Sequence, residues 1–212
     1  MKTPTHIILV RHGTTPTTGK VLPGRRPGLN LSEKGLDDAK KAGKIIFDAF
    51  KNKVAAVYSS PLERALQTAE QIAAILKKEV IIEDKLIECD FGKYTGRNLK
   101  DLYKIKNWDQ LHKNPASFRF PDGESFLEME YRMKMFLDYC LENQRGKSVV
   151  LVSHADPIKI LVNFALGMHL NCFQRLVITP ASITVLSYPE PFGLAQLLAL
   201  NLKSSLKESI GA

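Results

Sequence analysis

The sequence predicts an α/β sandwich, a largely parallel sheet with helices on both faces. Short, continuous, β-branched runs such as "HIILV" (6–10) and "VVLV" (149–152) read as strands buried on both sides. Longer segments with helix start signals separate these runs, which is the grammar of βαβ units. Two of the runs also end on similar polar punctuation, "RHG" and "SHAD", beyond the carboxyl ends of strands, where open α/β sheets bind ligands.

In chain order, 6–10 is the first strand, and a helix over 32–52 opens at Ser32. "VAAVYS" (54–59) is the next strand. A helix over 61–78 has Ser60 as N-cap, Pro61 in its first position and Glu63 completing a capping box. "EVIIE" (79–83) is a short strand. Residues 89–123, rich in Gly, Pro and aromatics, are the least regular part and suit a segment that covers a site. A helix over 125–144 opens on a second capping box, Ser125 with Glu128. After strand 149–152, a helix over 157–167 opens at Pro157, with Asp156 as its N-cap. "SITVLSY" (182–188) and "LAQLLALNL" (194–202) form a hairpin around Pro189, Pro191 and Gly193, although the second run is also helical by composition. Residues 203–212 are expected to be a flexible tail.

The 212 residues suit one domain, 1–212, with an ordinary balance of 44% hydrophobic and 25% charged residues. The net charge of +8 favours small anionic partners. The positive residues are interspersed with acids, as in "LSEKGLDDAKKAGK", so neither nucleic acid nor a membrane is expected as a partner. No apolar run approaches membrane-spanning length. Cys89, Cys140 and Cys172 lack metal-type spacing and read as reduced thiols, and with no signal peptide expected the protein is placed in the cytoplasm. A homodimer is admissible.

The chemistry starts at His12 and His154, which both follow strand ends and meet in space if their strands are neighbours. Arg64 falls in the first turn of its helix, the unfavourable end of the dipole for a cation unless an anion sits there. Arg11, His12, Arg64 and His154 would then converge as donors to one phosphoryl group.

"LVRHG", "SSPLERALQTA", "ECDFGKYTGR" and "LVSHAD" together resemble the histidine phosphatase superfamily, the phosphoglycerate mutase-like proteins, over residues 6 to about 202. The resemblance implies a three-layer α/β/α fold with a mixed, mostly parallel sheet of about six strands. It makes His12 the phosphorylated nucleophile, Arg11, Arg64 and His154 the phosphate pocket, and Glu88 the proton donor. A neutral imidazole can attack phosphorus while its other nitrogen holds a proton against a carbonyl. The arginines and a protonated His154 meet the charge on the equatorial oxygens, and a carboxylic acid protonates the leaving oxygen. No metal or cofactor is required. Asp84, Asp90, Asp156 and Glu124 stay open as rivals to Glu88, and Asp90 most simply fixes the "DFG" turn. Where one branch of the family has an acid directly after the second histidine, this chain has Ala155, and where many members have an asparagine it has Thr18. Thr18, Gly19, Arg25 and Ala155 are the substrate-binding candidates. Lys20, Lys93, Tyr94, Arg97, Trp108, Phe118 and Phe120 are rim candidates that equally suit surface packing. The expected activity is a metal-independent phosphomonoesterase acting on a small anionic phosphate ester. The short segment after Glu88 favours hydrolysis over the alternative, a phosphoglycerate mutase, and a non-catalytic phosphate-binding protein is a third reading.

Overall fold

In the computed structural model, which describes residues 3–106, 108–190 and 193–203, the apolar runs become one six-stranded sheet. The strands are β1 (Thr5–Arg11), β2 (Val54–Ser59), β3 (Val80–Ile82), β4 (Ser148–Ser153), β5 (Ile183–Tyr188) and β6 (Gln196–Leu202). Their order is β3-β2-β4-β1-β5-β6. The pairs β2–β3, β2–β4 and β1–β4 are parallel, and β5 runs antiparallel to both of its neighbours. The sheet is therefore mixed and mostly parallel. The last apolar run is a strand because pairing with β5 overrides its helical composition. The hairpin turn closes with Gly193 N–H donating to Pro189 O at 3.0 Å, while Pro191 lies outside the described residues.

The helices are α1 (Glu33–Phe50), α2 (Glu63–Leu76), the short α3 (Leu99–Leu102) and α4 (Gln110–Lys113), then α5 (Phe126–Asn143) and α6 (Ala155–Ala165). Side-chain alternation splits the core in two. Ile8, Val10, Val57, Val150 and Val152 face α1 and α2 through Ile46, Ala69 and Ile72. Ile7, Leu9, Tyr58, Val149 and Leu151 face the other layer, built from α5, α6 and the covering segment. Within that segment Trp108, Phe118 and Phe120 pack into this second core, the packing alternative of the two expected for them. The three cysteines are unpaired, with Cys89 and Cys140 buried. The expected tail beyond Lys203 lies outside the described residues.

Three helix starts behave differently. Ser125 and Glu128 form the expected capping box of α5. Helix α2, however, begins at Glu63 with Leu62 as its N-cap. Ser60 turns to His154 instead, and Glu63 accepts the Gly28 N–H at 2.8 Å. Helix α6 begins two residues earlier than its proline suggests, with His154 at the N-cap and Asp156 in the first turn. The N-cap reading of Asp156 is thus corrected: the helix starts from His154, the residue after the strand.

Candidate active site

The sheet order places the carboxyl ends of three parallel strands side by side. Arg11 of β1 is paired with Ser153 of β4, and His12 N–H donates to Ser153 O at 2.9 Å. On the other side of β4, Ser60 N–H donates to Val152 O at 3.0 Å. His12, His154 and Ser60 thus meet in space although they lie far apart in sequence. The rings of His12 and His154 lie 5.1 Å apart, tilted by 59°, and Arg64 is fully buried beside them.

The loop after β1 is locked. A Cβ on Gly13 would come within 2.5 Å of Gly35 O, so only glycine lets this loop pass the start of α1. Gly13 N–H donates to Thr68 Oγ1 at 3.0 Å, and that hydroxyl donates to Arg64 O at 2.7 Å. The His12 loop and the Arg64 helix are therefore one unit. His12 Nδ1 bonds Gly13 O at 2.8 Å. Because a carbonyl only accepts, Nδ1 carries the proton and Nε2 keeps its lone pair free. Burial first, then Arg11 and Arg64, push the His12 imidazole well below the usual histidine value, so it is neutral near pH 7.

Proton accounting also settles His154. Its Nε2 lies 2.8 Å from Ser60 Oγ, and Ser60 Oγ accepts Leu62 N–H at 3.4 Å. The Ser60 hydroxyl has no other acceptor among the described residues, and the assignment that satisfies it has Ser60 donating to Nε2 and the His154 proton on Nδ1. That Nδ1 is buried without a protein partner, 3.9 Å from Glu88 Oε2. Burial first, then Arg64, His12 and Arg11, hold this imidazole neutral, well below its ordinary value. In the protein alone, burial together with the charges of Arg64 and Arg11 opposes the protonated His154 expected from the sequence.

The other donors show the same incompleteness. Arg11 spends Nη1 on Ile178 O at 2.7 Å, and Arg64 spends Nη2 on Gly24 O at 2.8 Å. Arg11 Nε, Arg64 Nε and Arg64 Nη1 are buried with no protein partner. Buried donors without acceptors are costly, and four of them gathered around His12 fit the oxygens of one tetrahedral anion.

Glu88 faces the same cleft, 7% exposed. Burial first, then Asp156, raise its carboxyl from 4.5 to about 7, with Arg64, the Cys89 N–H and Arg11 acting against them. A carboxyl in that state can hold and release a proton near neutrality. The loop carrying it is braced at four points. Ser153 Oγ donates to Leu86 O at 2.7 Å, Arg132 to Lys85 O at 2.6 Å, and Arg25 Nε to Glu88 O at 2.8 Å. Glu124 accepts Asp90 N–H at 3.3 Å while also accepting from Arg25 and Arg132.

The cleft, about 210 Å³, is lined by Arg11, His12, Thr18, Gly19, Glu88 and Ala155 among others. Thr18 spends its hydroxyl locally, accepting Thr15 N–H at 2.9 Å. Arg25 does not line the cleft. Its guanidinium is committed to Glu88 O and Glu124, which corrects its reading as a substrate-binding residue: two nearby acceptors outcompete the solvent-facing pose. Among the rival acids, Asp84 is exposed, Asp90 accepts Gly92 N–H at 2.9 Å, and Glu124 is the brace just described. Only Asp156 shares the cleft with Glu88. Sequence reading missed the functions of Ser60, Thr68, Glu124 and Arg132, because each acts through a partner distant in sequence. The one available signal was that "SSPLE" and "GES" carry more hydrogen-bonding groups than their helix caps use.

Fold and site define a class: an α/β protein that gathers two histidines, two arginines and a near-neutral carboxyl at the carboxyl edge of a parallel sheet. The chain belongs to the histidine phosphatase superfamily (branch 1), whose sequence model matches residues 7–201. It is 30% identical over 207 residues to phosphoserine phosphatase 1 of Hydrogenobacter thermophilus, covering 95% of this chain and 94% of that one. It is 31% identical over 191 residues to an Escherichia fergusonii protein named "Probable phosphoglycerate mutase", covering 89% and 87%. A crystal structure of a phosphoserine phosphatase mutant from Entamoeba histolytica in complex with phosphoserine matches at TM-score 0.82 and 28% identity, covering 95% of this chain and 99% of that one. The chain spans about half the length of the first curated relatives it matches.

Proposed function

We propose that this protein is a metal-independent phosphomonoesterase that works through a phosphohistidine. The observation that carries this reading is the pairing of a free His12 Nε2 with four unpartnered buried donors around it. His12 Nε2 attacks phosphorus of a bound monoester, and the bond to the alcohol oxygen breaks. Arg11, Arg64 and His154 Nδ1–H take the charge on the equatorial oxygens. Glu88, protonated, gives its proton to the departing alkoxide. It then accepts a proton from the water that attacks phosphohistidine, which frees His12 and releases inorganic phosphate. The Arg11 and Arg64 guanidiniums carry the positive charge that a divalent cation would otherwise supply to the equatorial oxygens, so the electrostatic work is assigned to the protein's own side chains.

Hydrolysis is favoured over mutase chemistry by the cleft's walls. A bisphosphate intermediate needs a second cationic subsite, and beyond the phosphate cluster of Arg11 and Arg64 the cleft wall adds no lysine or arginine among the described residues. The relatives named for phosphoserine and for phosphoglycerate leave the natural substrate to experiment. Release of phosphate from p-nitrophenyl phosphate, compared with isomerisation of 3-phosphoglycerate with its bisphosphate cofactor, tests the reading. Bisphosphate-dependent isomerisation that outruns hydrolysis would replace it.

A further inference from the structure

The cleft carries a charge pattern that phosphoryl transfer does not need. Past the phosphate cluster, its wall is part hydroxyl, from Thr15 and Thr17, and part apolar, from Val21, Leu22, Phe91 and Leu99. Two carboxyl groups line it beside the cation Arg11: Glu88, which the reaction uses as its acid, and Asp156, which it does not use. The basic residues nearby in sequence are engaged or turned away. Lys93 pairs with Asp122 at 3.0 Å, Arg25 pairs with Glu124 at 3.1 Å, and Lys20 and Arg97 are exposed and line no part of the cleft.

Asp156 has no task in the proposed reaction. It sits in the first turn of α6, two residues beyond His154, where its field reaches the cleft strongly enough to help raise Glu88. Its Oδ1 lies 3.4 Å from Lys159 Nζ, which also donates to Gln174 at 3.1 Å. Its other oxygen has no partner among the described residues. A carboxylate on the wall of the same cleft as His12, with an oxygen to spare, is a recognition group for a positive charge. It is equally a repulsive element against a second anion.

We propose that the cleft selects small phosphomonoesters whose alcohol carries an ammonium group, that Asp156 recognises this group, and that an alcohol carrying a second anion is disfavoured. This inference rests on the reading that the phosphoryl group sits at His12. A neutral polyol falls between the two extremes. Two unit charges about 6–8 Å apart at a partly wet site differ by roughly tenfold in binding between attraction and no charge, and by a similar factor again for repulsion.

The test uses phosphoethanolamine, glycerol 1-phosphate and 3-phosphoglycerate, of similar size and different charge, with p-nitrophenyl phosphate as reference. On the wild type, kcat/KM should fall in that order, with about a tenfold step at each change of charge. The span should shrink at high salt. Asp156→Asn should compress the ratio of the first to the third by tenfold or more. Calorimetric binding of the three esters to His12→Ala, which cannot be phosphorylated, should reproduce the order without turnover. Equal or better use of 3-phosphoglycerate by the wild type, or an unchanged ratio in Asp156→Asn, overturns the inference. Failure to hydrolyse p-nitrophenyl phosphate instead overturns the phosphatase reading, and the binding order then decides the charge preference by itself.

Discussion

Replacing Glu88 by glutamine should make the protein more stable at high pH and leave it nearly unchanged at low pH. The carboxyl is buried and raised from 4.5 to about 7, chiefly by burial and by Asp156. A folded-state pKa above the unfolded one means that the folded protein binds more protons across this window. Stability therefore falls as pH rises from about 4.5 through 7. At about 1.4 kcal/mol per pH unit, ionising Glu88 in place costs roughly 3 kcal/mol once pH exceeds 8. Glutamine keeps the oxygen that accepts the Cys89 N–H, bonded at 2.9 Å in the wild type, and carries no charge. The measurement is thermal unfolding of both proteins between pH 5 and pH 8.5 in buffers without phosphate, since a bound anion would stabilise the site on its own. For a chain of this size about 3 kcal/mol corresponds to roughly 6–12 °C in Tm. The difference between variant and wild type should grow from about 1 kcal/mol, roughly 2–4 °C, at pH 5 to that range at pH 8.5. A flat difference, or a variant that loses stability as pH rises, would refute the assignment of a raised, solvent-starved carboxyl to Glu88.

Glu88→Gln should also lose about 10²- to 10⁴-fold in rate on glycerol phosphate but far less on p-nitrophenyl phosphate, whose leaving group departs as its anion; equal losses call for a burst experiment, and a burst of nitrophenol would place the slow step at dephosphorylation. Ser60→Ala should cost about 1–3 kcal/mol by leaving the buried His154 Nε2 unpaired, and ¹⁵N spectra of the imidazole should show the Nδ1–H tautomer lost; an unchanged tautomer contradicts the proton accounting. Glu124→Ala should cost about 2–3 kcal/mol, discounted from a fully buried pair because Arg25 is one-third exposed, and should lower kcat more than it changes KM as the Glu88 loop loosens. Activity should survive exhaustive chelation, and vanadate should inhibit competitively; loss on chelation restored by magnesium or zinc would contradict the metal-independent mechanism.

The fold was legible because its signals are local. β-Branched runs such as "HIILV" fit strands buried on both faces between two helical layers, and the strand ends follow from where those runs stop. The positions of Arg11, His12, Arg64, Glu88 and His154 were legible for a related reason: each sits at a fixed offset from a strand end or a helix start. What stayed hidden depends on partners distant in sequence. Ser60 carries every mark of an N-cap, yet its hydroxyl is oriented by a buried histidine ninety-four residues away, and α2 takes Leu62 as its N-cap. Arg25 looks like a free cation in a glycine-rich loop until Glu124, ninety-nine residues away, claims it. The protonation of His154 could not be read from "LVSHAD", because it is set by how deeply the ring is buried and by Arg64, which belongs to another element.

The central claim is that His12 Nε2 takes the phosphoryl group, and rapid acid-free quenching of the enzyme with ³²P-labelled monoester tests it most directly. The account predicts label that is stable to base, labile to acid, confined to the peptide containing His12, and absent from His12→Ala. Label on a serine or an aspartate, or substantial turnover by His12→Ala, would contradict it.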